Sequence, residues 1–362
     1  MKNKNIVEVC LAHGLGGLEL SAVHCFNYFK TKTNCSIIVS PNTKLDNYIE
    51  NTNKFTIKRN KLFPIIPALK LAKFIDSNDI DIVHFHWGKD IVTVVLAKLF
   101  SKKRPKIVHS RHMNMTRFKN NIYHGWLYKN IDMLHAVTKQ VKEQIQKYIP
   151  HAIRPPIETV YLGVKESSVD EKKVESLKSN YALKDAFVVG IIGRIEDEKG
   201  QYILIETIER LKDLNIKVLI VGQSMSENYL NELKSNITNL GLEDKIIFTG
   251  FTKDVNEHIK LCDVIVLATK KETFGLVIVE TMMNNVCVIA TNNGGPIEII
   301  DNGTNGLLFD RSCDDLALKI EYLYNNPKEK ESLANAGYIK AKSEFNHDIQ
   351  MQKLYDAIEK RA

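Results

Sequence analysis

The chain alternates short apolar runs with amphipathic ones, and it does so in two separate series. In the first, strands are predicted over residues 6–12, 36–40, 82–86, 106–111 and 133–136, with helices over 17–29, 65–78, 90–100 and 138–148. In the second, strands at 188–192, 217–221, 246–249, 264–268 and 286–290 sit between helices at 201–211, 225–240, 255–260 and 280–284. Short, unbroken apolar strands separated by helices predict parallel sheets covered on both faces. Two such series in 362 residues predict two doubly wound α/β domains. Ligands then bind beyond the carboxyl ends of the strands. Composition shifts at Pro150 to Pro156, residues 160–164 read as a strand-like exit, and residues 165–180 are polar. The domains are therefore expected at 1–165 and 166–344. The last helix, about 348–360, is amphipathic and has to dock on something.

A hydrophobic content of 44% with 26% charged residues is that of a soluble globular protein. The start carries no signal-peptide pattern, and no run reaches the ~18 apolar residues of a membrane span. Six cysteines are scattered without a CxxC pair, which predicts reduced thiols in a cytoplasm and no structural zinc. The net charge of +7 is uneven. Residues 1–166 hold 26 Lys/Arg against 12 Asp/Glu, and residues 167–362 hold 24 against 31. A basic first half points to an anionic partner for that half alone. Basic clusters lie at Lys58, Arg59 and Lys61 and at Lys102, Lys103, Arg104 and Lys106. Apolar residues interleave with the first cluster in KRNKLFPIIPALKLAKF (58–74), which suits an anionic membrane surface; a merely solvated basic face is the alternative.

Five loops carry the chemistry. In HGLGGLEL (13–20), Gly14, Gly16 and Gly17 allow a tight turn and an anion at a helix start. The spacing lacks the GxGxxG and following acid of a nicotinamide site. In GRIEDEKG (193–200), Arg194 and Lys199 put two cations at a strand end, where they suit a diphosphate leaving group. Glu196, Asp197 and Glu198 between them are expected to face solvent. In KETFGLVIVE (271–280), Glu272 can reach sugar hydroxyls and Glu280 can accept both hydroxyls of a ribose. Thr273, Phe274 and Gly275 suit the turn between them, ahead of the apolar run from Leu276. In IVHSRHMN (107–114), His112 ends a strand and can bond a hydroxyl or move a proton, whereas His109 is expected to be packed. NNGGPIEII (292–300) bends at Gly294 and Gly295 before Glu298 opens a helix. His84, His86 and Trp87 end another strand as weaker candidates. Asp79 and Asp81 spell a metal-binding Asp-x-Asp but precede a strand, so they are expected to cap a turn; no metal and no cofactor are expected.

Together these motifs resemble the retaining family 4 glycosyltransferases of the GT-B fold, over nearly the whole chain. The resemblance rests on Gly16-Gly17-x-Glu19, Gly193-Arg194 with Lys199-Gly200, FTGF (248–251), KETFGLVIVE, Gly294-Gly295-x-x-Glu298 and NGLLF (305–309). It implies two Rossmann-like domains facing a cleft, with the C-terminal helix (345–362) crossing back to the first. It implies that Arg194 and Lys199 hold the donor diphosphate and that Glu280 binds the ribose. Glu272 would touch the donor sugar, the backbone of Phe274, Gly275 and Leu276 would meet sugar or phosphate, and Gly16 and Gly17 would approach the phosphate. His112 matches the family's cleft histidine, although SRH replaces a more usual apolar lead-in. Leu162-Gly163 stands where the family's linker has Asn-Gly.

The implied activity is transfer of a sugar from a nucleoside-diphosphate sugar to a glycan, lipid-linked, at the inner face of a membrane, in polysaccharide or lipopolysaccharide synthesis. A sugar-nucleotide epimerase of this fold is a second possibility, but it needs further acids and a histidine that the sequence does not place. A silent binding module is a third, and it has no reason to keep Arg194, Lys199, Glu272 and Glu280 together. Nucleic-acid binding ranks last, since no such module is visible.

Overall fold

A computed structural model describes residues 4–50, 53–60, 63–166 and 168–361. Lys61 of the first basic cluster lies outside the described residues. The chain forms two compact units, Met1–Leu162 with His347–Ala362, and Gly163–Asn346.

The first unit holds seven parallel strands: β1 Ile6–Cys10, β2 Cys35–Val39, β3 Lys54–Thr56, β4 Ile82–Phe85, β5 Lys106–Arg111, β6 Met133–Ala136 and β7 Ile157–Thr159. Their order is β3-β2-β1-β4-β5-β6-β7, so the topology reverses between β1 and β4. The second unit holds six: β8 Phe187–Ile192, β9 Ile216–Val221, β10 Ile246–Gly250, β11 Val264–Leu267, β12 Cys287–Thr291 and β13 Leu307–Phe309. Their order is β10-β9-β8-β11-β12-β13, with the reversal between β8 and β11. Two doubly wound parallel sheets are the α/β architecture expected from the alternation.

Both faces of the second sheet are dry, which explains the unbroken apolar strands. Along β8, Val189 and Ile191 enter one core cluster and Val188 enters the other. Along β9, Val218 and Ile220 go to the first and Leu219 and Val221 to the second. This is the period-2 alternation of a pleated strand with apolar cover on each side.

Several elements were not legible in the sequence. The edge strands β3 and β13 have three residues each, too few for a period-2 signal. The helices Ile122–Lys129, Cys313–Asn325 and Pro327–Glu344 were also missed. The polar run after 165 contains the helix Glu171–Asn180, whose N-cap Asp170 accepts from Lys172 and Lys173 N–H. The exit strand lies at Ile157–Thr159, ahead of the predicted 160–164. The helix expected at 280–284 begins earlier and spans Leu276–Met283.

The C-terminal helix His347–Arg361 packs within the first unit. Met351, Leu354, Tyr355 and Ile358 enter that unit's core beside Cys25, Phe26 and Phe29. Tyr28 donates to Gln352 at 2.8 Å. Asp79 and Asp81 prove structural: both pair with Lys103, the latter at 3.1 Å, and Asp81 accepts from Asn5 N–H. Lys106 meets Asp132 at 3.4 Å, so two cations of that basic cluster are locally neutralised.

Candidate functional site

In the second unit the site residues gather at the topological reversal. The turn after β8 carries Arg194 and Lys199, and the turn after β11 carries Glu272. Lys199 Nζ lies 3.3 Å from Glu272 Oε2, which ties the two turns together. Lys270 N–H donates to the Glu198 carbonyl at 2.9 Å and adds a backbone tie. Arg194 is 61% exposed and reaches Glu196 at 2.9 Å. Glu196 therefore holds Arg194, a correction to the expectation that it faces solvent.

Glycines set the shape of this rim. Gly193, Gly222 and Gly250 end or follow β8, β9 and β10 with φ of +147°, +144° and +73°. A Cβ on Gly222 would stand 1.9 Å from the Gly193 carbonyl oxygen. The strand ends thus run close together with bare backbone, leaving the space above them to a ligand. Gly222 was not singled out from the sequence, because the contact that requires it comes from Gly193, at the end of a different strand. Gly200, at φ +74°, fits against Ala268, where a Cβ would meet the carbonyl at 2.5 Å.

Gly275, at φ +101°, caps the helix Leu276–Met283 without a side-chain bond. Ile278 N–H donates to the Gly275 carbonyl at 2.9 Å, which leaves Leu276 and Val277 as the first-turn N–H groups that can meet an anion. Phe274 is buried and anchors the turn. Gly295 N–H donates to the Glu272 carbonyl at 3.0 Å, and a Cβ on Gly295 would stand 2.3 Å from the Phe274 oxygen. The 294–295 loop therefore braces the turn that presents Glu272. Glu280 sits within the helix, half-buried, and burial raises its carboxyl above the usual range. No hydrogen-bond or ion-pair partner for that carboxylate exists among the described residues. A half-buried carboxylate without a protein partner is set to accept from a ligand.

In the first unit, Gly16 N-caps the helix Gly17–Phe29, and its N–H donates to Glu19 Oε2 at 3.0 Å. Glu19 therefore already supplies an anion to the glycine turn, and a phosphate there would have to displace it. His112 follows β5 and lines a pocket of about 140 Å³ with Leu18, His86, Gly88, Lys89 and Arg111. His109 is buried and stacks on Phe85 with centroids 4.1 Å apart, as expected of a packed histidine. Arg111 is largely buried, and no acid pairs with it among the described residues; burial lowers its pKa.

Beneath this pocket a polar row crosses the sheet. His84 Nδ1 lies 3.0 Å from both Glu8 oxygens, and His86 Nε2 lies 2.6 Å from Glu8 Oε2. Register places Glu8 opposite His84 on β1 and β4, and Ser110 opposite His135 on β5 and β6. Burial raises the Glu8 carboxyl and lowers His84 to about 3 and His86 and His135 to about 4. Glu8, Cys25, His84 and His86 bring donor atoms within 4.8 Å of one another. The 2.6–3.0 Å links among them are hydrogen-bond lengths, and burial pushes the Cys25 thiol well up, toward its neutral form. The set reads as a hydrogen-bonded cluster. The sequence offered no signal for Glu8, which looks like one polar residue in an apolar strand.

Two doubly wound parallel-sheet units, with a cation and an acid paired at the reversal of the second, are the architecture of a GT-B glycosyltransferase. The chain belongs to the family 4 glycosyltransferases: the description "Glycosyl transferases group 1" matches residues 172–340, and "Glycosyltransferase Family 4" matches 15–167. It is 30% identical over 189 residues to the capsular polysaccharide biosynthesis glycosyltransferase CapM of Staphylococcus aureus, a match spanning 51% of this chain and 49% of CapM. It is 22% identical over 289 residues, 76% of each chain, to the N-acetylgalactosamine-N,N'-diacetylbacillosaminyl-diphospho-undecaprenol 4-alpha-N-acetylgalactosaminyltransferase of Campylobacter jejuni. Its fold matches Anabaena Alr3699/HepE, solved with UDP and glucose, at TM-score 0.86 and 20% identity over 99% of this chain and 100% of that one. These are the GT-B architecture and the family that the motifs resemble.

Proposed function

We propose that the protein transfers a sugar from a nucleoside-diphosphate sugar to a lipid-linked glycan in surface polysaccharide or lipopolysaccharide synthesis. The observation that carries this reading is the Lys199–Glu272 contact across the β8–β11 reversal, with the partnerless Glu280 in the helix beyond it. Lys199 and Arg194 neutralise the diphosphate as it leaves, Glu280 accepts from the ribose, and Glu272 accepts from the donor sugar. The positive N-terminal end of the Leu276–Met283 helix adds further positive potential. UDP in the similar HepE structure and the diphospho-undecaprenol acceptor of the C. jejuni relative support a nucleotide donor and a lipid-linked acceptor. Arg111, with no acid beside it in the first unit's pocket, is suited to an acceptor phosphate.

Retention of configuration by front-face attack is part of the proposal. The leaving phosphate oxygen takes the acceptor's proton, so positioning and diphosphate stabilisation carry the rate. Cationic side chains supply that stabilisation, so the reaction is proposed to need no metal. The helix Ile65–Ser77 supports a peripheral membrane contact: Ile65, Ile66 and Leu69 are 52%, 59% and 51% exposed beside exposed Lys70 and Lys73. No helix among the described residues is long and apolar enough to cross a membrane. Binding to anionic vesicles that is lost in Ile66→Glu, and absent from zwitterionic vesicles, is expected by sedimentation.

The test of the activity is a panel of UDP-, GDP- and ADP-sugars offered to the wild type and to Glu272→Ala. Release of nucleoside diphosphate from one donor, reduced about 100-fold or more in the variant, is expected. Failure of every nucleotide and sugar nucleotide to bind would overturn the reading.

A further inference from the structure

The polar row beneath the first unit's pocket has a direction, and one end of it sets the other. The chain of contacts runs from the Val160 carbonyl through His135, Ser110, His84, Glu8 and His86 to His112. A carbonyl oxygen only accepts, so His135 Nε2 donates to Val160 O across 2.7 Å. His135 is fully buried, and a neutral ring with Nε2–H has a bare Nδ1. Ser110 Oγ–H therefore donates to that Nδ1 across 2.6 Å. With its proton committed, Ser110 Oγ accepts from His84 Nε2–H at 2.7 Å. His84 then has a bare Nδ1, and the proton on its 3.0 Å link to Glu8 comes from the carboxylic acid. The other carboxyl oxygen is an acceptor, so His86 Nε2–H donates to it at 2.6 Å. His86 Nδ1 is then bare and accepts from His112 Nε2–H at 3.1 Å. Every link is satisfied with no net charge in the row.

The reversed sense requires His135 to donate at both nitrogens, which is an imidazolium buried in the core. Moving the shared proton from Glu8 to His84 leaves the links beyond Glu8 unchanged. Placing the Glu8 proton on the His86 link instead leaves the bare His84 Nδ1 facing a bare carboxyl oxygen at 3.0 Å, so the two neutral arrangements that fill every link both end with the proton of His112 on Nε2. Its Nδ1 is buried and has no partner among the described residues, and it belongs to a residue that lines the pocket.

We propose that Glu8 and His86 are positioning residues that hold His112 as the Nε2–H tautomer, so that its Nδ1 lone pair accepts a hydrogen bond from a ligand hydroxyl. His112 is thus an acceptor toward sugar, not a donor. The functional consequence rests on the transferase reading, while the tautomer itself does not.

Glu8→Gln is the discriminating variant. Its amide N–H donates to His84 Nδ1 and its carbonyl accepts from His86 Nε2–H, which reproduces the acid's donor and acceptor pattern without an ionisable proton. Glu8→Leu removes both. NMR of protein carrying 15N-labelled histidine, with His112 assigned by loss of its signals in His112→Asn, reads which ring nitrogen bears hydrogen. Nε2–H is expected in the wild type and in Glu8→Gln, with mixed tautomers in Glu8→Leu. Turnover with the donor found above is expected to stay within about threefold in Glu8→Gln and to fall at least about tenfold in Glu8→Leu, with KM for the donor less affected than kcat. Nδ1–H in wild-type His112, or loss of the tautomer in Glu8→Gln, overturns the proposal. Should no donor react, the transferase reading fails while the wild-type tautomer is still measured, so the two failures are told apart. The wild-type spectrum also decides the matter if Glu8→Leu does not fold.

Discussion

At the residue scale, the two acids of KETFGLVIVE differ in environment. Glu272 is tied to Lys199 at 3.3 Å, whereas Glu280 stands without a protein partner and burial raises its pKa. A carboxylate whose protonation is favoured by burial loses its second acceptor oxygen as pH falls through that raised value. Donor binding is therefore expected to weaken on acidification at a higher pH than an exposed glutamate would dictate. Titration calorimetry with the nucleoside diphosphate at stepped pH checks this. In Glu280→Gln the pH dependence should vanish and affinity should drop about 10- to 100-fold at neutral pH, the worth of hydrogen bonds to a charged group. A variant with unchanged affinity would remove Glu280 from the ribose.

Elements decide how those side chains are held. The turn at 272–275 and the loop at 294–295 approach so closely that no methyl group fits between them: a Cβ on Gly295 would lie 2.4 Å from the Phe274 Cα. Gly295 has an ordinary helical φ of −58°, so the constraint is space rather than backbone strain. Gly295→Ala should push the Phe274 turn away by about an ångström, a displacement that can cost about 100-fold in rate. Overpacking of this kind costs stability by only about 1–3 kcal/mol. Thermal unfolding and donor hydrolysis measured together should show a folded protein with kcat/KM down about 100-fold. The glycines of NNGG were visible in the sequence as a turn, but their partner was not, since Phe274 is packed there by tertiary contact. Gly222 was not singled out even as a turn, and the Gly193 carbonyl that requires it belongs to another strand end.

For the whole molecule, the last helix completes a unit begun more than 300 residues earlier. Met351, Leu354, Tyr355 and Ile358 are 3%, 1%, 7% and 0% exposed and fill the core beside β1 and the helix Gly17–Phe29. Burial of each such side chain is worth about 1.5–3 kcal/mol, so four of them rival the entire stability of a domain, about 5–15 kcal/mol. Deleting residues 347–362 is expected to unfold the first unit and leave the second intact. Limited proteolysis with mass spectrometry should then find a resistant fragment within 163–346 and none within 1–162. Equal resistance of the truncated and full chains would contradict this.

The sequence by itself determined what depends on neighbours along the chain. Apolar runs of strand length and amphipathic runs of helix length specified two parallel sheets, because burial on both faces demands that pattern locally. Arg194, Lys199, Glu272 and Glu280 were visible because strand ends, glycine turns and helix starts are consecutive in sequence. Tertiary structure alone decided what depends on register between distant strands. Glu8 meets His84 and His86 across 76 and 78 residues, and Ser110 meets His135 across 25. No local period marks such a row: Glu8, His84 and His135 are each the one polar residue of an apolar strand, Ser110 sits between His109 and Arg111, and His86 follows its strand. It appears only when parallel pairing sets them side by side, where a buried polar group must find its partner there or leave a donor unsatisfied.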